Sequence, residues 1–270
     1  MNQYEQINEY DSLIKKISKK RKLIIALDII LLIVILAVTT PGHLEIFERT
    51  IIDTKGIHPI FTILMILLVS VIVIIAYAIV SIPISASMDV ECDPQKYLAL
   101  NTALTKGKEL IPAYATGYLY MGNFPLAMEY AGQMITSGKQ NLVLSGIFNK
   151  VRCEFLLGNY EAMKISVQQY ESVLSNIKKS TPAYQKLHEI MILLCAIADK
   201  DLDKINEYRK SIQAWSNSKA AEGYINYLKG ISAYSVGDKD ESIYRFMLVK
   251  DHCEKTVFSQ LSDEYLSLLK

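Results

Sequence analysis

The ten residues Tyr118-Leu119-Tyr120-Met121-Gly122-Asn123-Phe124-Pro125-Leu126-Ala127 carry the clearest architectural signal in this chain. A helix-forming run meets a glycine, which can stop it in a left-handed conformation at no steric cost. Asn123 can then cap the next helix, and proline is tolerated in its first turn. Ala127, with Ala131 one turn later, lets the second helix lie close against the first. The same break recurs at Leu157-Gly158-Asn159-Tyr160, Ala198-Asp199-Lys200-Asp201 and Val236-Gly237-Asp238-Lys239. Counted from Gly122 through Gly158, Ala198 and Gly237, the spacings are 36, 40 and 39 residues. Recurrence at 20–50 residues marks stacked supersecondary units.

Working outward, Asp93-Pro94 reads as a helix start, and from there the chain has helical period with no strand-like alternation. Helix pairs are expected near 108–137, 141–178, 182–214 and 218–250, with single helices from Pro94 and from about His252. The turns resemble those of tetratricopeptide repeats, in which a small-residue turn is followed by an aromatic and a closely packed alanine. Gly158-Asn159-Tyr160 is a second copy and Gly230 to Asp238 a third. The spacing exceeds the family period of about 34, and Met163 and Ser242 stand where the packing alanine belongs. The resemblance covers roughly residues 94–270 and implies an all-α solenoid of about four helix pairs plus end helices. It also implies a protein or peptide partner held on the inner face of each pair's first helix. On this chain that face would carry Thr116, Tyr120, Asn149, Arg152, His188, Tyr227 and Tyr234. The lysine and asparagine clamp that some members use for chain-terminal carboxylates is absent: Pro112, Ala113 and Thr116 occupy part of its place.

Ahead of this array lies a different chemistry. The chain has 270 residues, 51% hydrophobic and 21% charged, with net charge +1, a composition that excludes disorder and lacks the basic footprint of a nucleic-acid binder. The apolar residues concentrate in Leu23–Val38 and in Ile60–Ile82, the second free of charge. Each approaches the roughly 20 residues needed to cross a bilayer, so residues 23–83 are expected to form a two-span hairpin with an external loop at 41–57. Residues 1–22 hold six basic and three acidic side chains, with Lys15 to Lys22 directly before the first run. By the positive-inside rule the N-terminus, and after two crossings the 88–270 domain, lie in the cytoplasm. Tyr4, Ile7, Leu13, Ile14 and Ile17 recur at helical spacing, the pattern of a helix lying on anionic lipid. Asp28 sits about 9 Å in from Lys22 along the helix at 1.5 Å per residue. A carboxylate at that depth is a candidate for contact with another membrane subunit.

Cys92, Cys153, Cys195 and Cys253 are widely separated and read as free thiols of a reducing compartment. The Lys-rich base usage, 24 Lys against 5 Arg, points to a bacterial cell membrane. Catalytic patterns are lacking. Gly132 to Gly138-Lys139-Gln140 has the wrong spacing for a phosphate loop, and His188-Glu189 is followed by Ile192 where a zinc motif needs histidine. The expectation is a multi-pass membrane-anchored adaptor, not an enzyme, with no metal, cofactor, small-molecule substrate or nucleic acid implied. The alternative is an accessory or sensory subunit recognised through its spans.

Overall fold

The computed structural model describes residues 10–39, 43–46, 49–53, 59–177 and 181–270, with side chains described except over 36–62. The class is all-α. Two units are distinguished, one over Glu9–Pro83 and the other over Ile84–Lys270.

The smaller unit contains α1 (Asp11–Thr39), a short antiparallel hairpin of β1 (His43–Ile46) and β2 (Arg49–Asp53), and most of α2 (Pro59–Asp89). The hairpin falls inside the stretch expected to be a plain loop. The basic cluster is not a separate segment either, because Lys15 to Lys22 belong to the same unbroken helix as the first apolar run. Residues 1–9, including Tyr4 and Ile7, lie outside the described residues. Among the described residues one helical stretch, Ile63–Asp89, is long and apolar enough to cross a membrane, where the sequence pattern predicted two. Leu23–Val38 runs past Ile35 into undescribed side chains, and the thirteen residues Leu23–Ile35 are too short to cross. On both helices large aliphatic side chains stand exposed, among them Leu23, Ile29 and Ile33 on α1 and Leu67, Ile74 and Ile82 on α2. Pro83 does not end α2; the helix continues through it to Asp89.

The larger unit continues with α3 (Pro94–Leu104), a 3₁₀ turn at Gly107–Glu109, and α4 (Leu110–Tyr120), α5 (Phe124–Ile135), α6 (Gln140–Leu156) and α7 (Tyr160–Ser175). Then come α8 (Pro182–Asp199), α9 (Leu202–Ser211), α10 (Lys219–Ser235), α11 (Lys239–Cys253) and α12 (Val257–Leu268). Asp93 caps α3 as its sequence suggests, accepting from the Lys96 amide at 2.9 Å. Fully buried Leu119, Leu144, Ile147, Val151, Ile190, Leu194, Tyr224 and Leu228 put the core on α4, α6, α8 and α10. The second helices close over it through Ala127, Ala131, Met163, Ile205 and Ser242, each without exposed surface. Ser242 replaces the expected alanine at no hydrogen-bonding cost, because its hydroxyl donates to the Gly230 carbonyl at 3.0 Å.

The turns explain the period. Gly122, Gly158 and Gly237 take φ of 79°, 73° and 78°, the left-handed region in which a side chain costs roughly 1–2 kcal/mol. In the third unit the left-handed residue is Lys200, at φ 56°, two positions beyond Ala198, so the register anchored on Ala198 is corrected there. The two ends of the array meet. Cys92 Sγ lies 2.7 Å from Cys253 Sγ, and Lys255 Nζ donates to Asp93 Oδ2 at 2.6 Å. Cys92 itself is left-handed, at φ 50°.

Two substitutions test this backbone account in thermal or denaturant unfolding of the detergent-solubilised chain. Nothing lies within 4 Å of a Cβ built on Gly158, so Gly158→Ala carries only its conformational cost and destabilises by about 1 kcal/mol. Lys200→Gly relieves the same strain and stabilises by a few tenths to about 1 kcal/mol, the loss of chain stiffness offsetting part of the gain. Equal and opposite signs are the expected result.

Candidate functional site

Thr116 and Tyr120 on α4, and Asn149 and Arg152 on α6, line one cavity of about 310 Å³. Four of the seven expected partner-binding residues thus come together, in a cavity partly closed off rather than along an open groove. The closure comes from residues far away in sequence. The loop after α9, residues 212–218, brings Trp215, Ser216 and Ser218 into the lining. It is pinned by Ile212, fully buried, and by Lys186 Nζ donating to the Ala214 carbonyl at 3.2 Å. Ser85, Met88 and Asp89, from the end of α2, supply the remaining rim.

Arg152 is the centre of this arrangement, and only 1% of it is exposed. Its Cζ lies 4.0 Å from the ring centroid of Tyr224, 5.0 Å from Tyr120, 5.2 Å from Phe148, 5.5 Å from Trp215 and 5.8 Å from Phe258. The rings also pack on one another: Tyr224 and Phe258 are 5.0 Å apart, and Phe148 meets Trp215 edge-on at 5.3 Å. Each desolvated cation–π contact is worth up to about 2 kcal/mol, against a cost of several kcal/mol for taking an ion out of water. The rings offset part of that cost without supplying negative charge. Among the described residues no carboxylate pairs with Arg152, and its Nε and Nη2 have no hydrogen-bond partner. Glu154, two residues on, pairs instead with Lys150 at 3.6 Å. Burial pushes the Tyr120 phenol up to about 12, with Arg152 partly opposing it, and raises Tyr224 as well. Both phenols therefore stay neutral at pH 7, and the Tyr120 hydroxyl donates to the Ala220 carbonyl at 2.9 Å.

The other three expected residues lie elsewhere. His188 faces α7, stacked on Tyr170 and bonded through Nε2 to Glu171 Oε1 at 2.9 Å. It misses the cavity because its neighbour Leu187 takes the inward position. Tyr227 lines a separate trough of about 480 Å³ with Leu157, Tyr160, Leu261, Tyr265 and Leu268. Tyr234 packs edge-on against Tyr265 at 5.2 Å. Trp215, Ser218, Tyr224 and Phe258 are site residues that the sequence did not mark. The one available signal was the chain's single tryptophan, set in the polar loop Trp215-Ser216-Asn217-Ser218. Asp28, half-buried on α1, makes no hydrogen bond or ion pair among the described residues. No group of three or more metal-ligating side chains occurs among them.

Comparison with protein-family models, curated proteins and solved structures finds no match to this chain.

The ring cluster predicts a graded pair of effects on unfolding. Phe258, 1% exposed, should cost about 3–5 kcal/mol on truncation to alanine. Tyr120→Phe removes only the hydroxyl and its bond to Ala220, a loss of about 1 kcal/mol. Comparable losses for the two would contradict the packing described.

Proposed function

We propose that this chain is a membrane-anchored adaptor whose cytoplasmic array, of tetratricopeptide type, holds a protein or peptide partner. The observation that carries the reading is the trough beside α12. Leu157, Tyr160 and Leu268 line it and stand exposed, Leu268 at 69%. Exposed apolar side chains that cluster beside a concavity mark interaction surfaces, and tyrosine is among the residues that dominate binding energy. Stacked helix pairs offer such surfaces and little catalytic chemistry. The exposed aliphatic side chains of α1 and α2 support a bilayer around both helices, and so a two-span anchor. The basic cluster Lys15 to Lys22 supports a cytoplasmic N-terminus and, with two crossings, a cytoplasmic array.

A second reading has its own observation. An unpaired carboxylate on an apolar helix favours a polar contact with another membrane subunit, so Asp28 supports a role as accessory subunit.

Affinity capture of the detergent-solubilised full chain separates the two. The adaptor reading expects a stoichiometric partner that the Tyr160→Ala/Leu268→Asp variant loses and Asp28→Asn keeps. Loss with Asp28→Asn alone transfers recognition to the spans. Orientation is checked separately with Ser137→Cys, an exposed position. It should resist an impermeant maleimide in intact cells and react after permeabilisation; labelling of intact cells would reverse the topology.

A further inference from the structure

Arg152 brings a positive charge to a cavity whose one acidic lining residue, Asp89, makes no ion pair with it among the described residues. The cation is 99% buried, five aromatic rings lie within 6 Å of it, and its Nε and Nη2 have no hydrogen-bond partner among the described residues. Taking such a charge out of water costs several kcal/mol, so packing alone gives little reason for arginine here. A cavity of about 310 Å³ is at the lower end of the volumes that take small molecules. Its walls combine apolar surface from Phe148, Trp215, Met88 and Leu187 with hydroxyl and amide groups of Thr116, Ser145, Asn149 and Ser218. That mixture is the pattern of a ligand site: apolar lining with a few convergent polar groups.

We propose that this cavity binds a small organic acid, a monocarboxylate with a compact apolar body, whose carboxylate meets the Arg152 guanidinium. The charge count selects this class. Arg152 is the one basic residue lining the cavity, and Asp89 at the rim is the one acidic residue. A single cation facing one repelling carboxylate suits a monoanion and disfavours phosphate esters or other polyanions. The planar guanidinium fork matches a carboxylate in geometry as well as charge. The phenols of Tyr120 and Tyr224 remain neutral, so they do not compete as internal anions. The body of the acid would lie against Phe148 and Trp215 under the loop 212–218. This site is separate from the trough of the adaptor reading and stands independently of it.

The chain carries its own probe, because Trp215 is its single tryptophan and lines the cavity. The experiment titrates full-length protein in detergent with benzoate, cyclohexanecarboxylate and octanoate, up to about 10 mM to reach weak complexes. Benzamide, cyclohexanecarboxamide and inorganic phosphate are the controls, and both Trp215 fluorescence and melting temperature are recorded. The expected result is a saturable fluorescence change and a raised melting temperature with at least one acid and with none of the controls. Arg152→Met should weaken that acid at least tenfold, with Arg152→Lys intermediate. No saturable change with any of the three acids overturns the proposal, as does an equal response to the amides. An undiminished response in Arg152→Met overturns it as well. The contrast of acid with amide is read on the unaltered chain, so it decides even if Arg152→Met does not fold. A short peptide with a free C-terminus that binds at least tenfold more tightly than every free acid, and loses that affinity on amidation, also overturns it, in favour of a chain terminus.

Discussion

One buried guanidinium organises the larger unit. Rings reach Arg152 from α4, α6, α10, α12 and the loop before α10. Consecutive helix pairs need only their neighbours to bury their apolar faces, and a stack of them could stay open indefinitely. Here the ends are drawn together. Phe258 on the last helix packs on Tyr120 of α4 at 5.2 Å, and the Tyr120 hydroxyl ties α4 to α10 through its bond to the Ala220 carbonyl. Cys92 and Asp93 meet Cys253 and Lys255 at the same closure. The cavity exists because the array closes, and the array closes around the cation.

The helix pattern was legible in sequence because its causes are local. Glycine before Asn or Asp stops one helix and begins another through backbone energetics within four residues, so Gly122, Gly158 and Gly237 announce their turns. Lys200 does the same work at a conformational cost, and no residue-type signal distinguishes it from its neighbours. Asp201 then caps α9, accepting from the Lys204 amide at 3.2 Å. The inward side of α4 and α6 was also legible, since helical spacing places Thr116 with Tyr120 and Asn149 near Arg152. His188 fails for the same local reason reversed: one position of helix phase, about 100° of rotation at 3.6 residues per turn, exchanges it with Leu187.

What sequence could not carry was the closure. Phe258 and Tyr224 are 34 residues apart in sequence, and Tyr120 is 104 residues from Tyr224, yet all three rings surround one cation. No periodicity links them. Read as an open groove, Arg152 is one of several residues on a face that holds a protein or peptide partner. Enclosed, the same side chain poses a different electrostatic question, because its solvation is gone and its counter-charge is missing.

The boundary between apolar and array segments shows a similar contrast of local signal and outcome. Proline removes a backbone donor and crowds the preceding turn, so a run ending at Pro83 reads as the end of a helix. Yet α2 passes through it, and the Ser81 hydroxyl donates to the Tyr77 carbonyl at 2.8 Å while Ser87 donates to the Ile84 carbonyl at 2.6 Å. The consequence is continuity. Ser85, Met88 and Asp89 at the cavity rim belong to the same helix as the apolar stretch that begins at Ile63. The last turn of α2, within the larger unit, is thus part of the cavity wall.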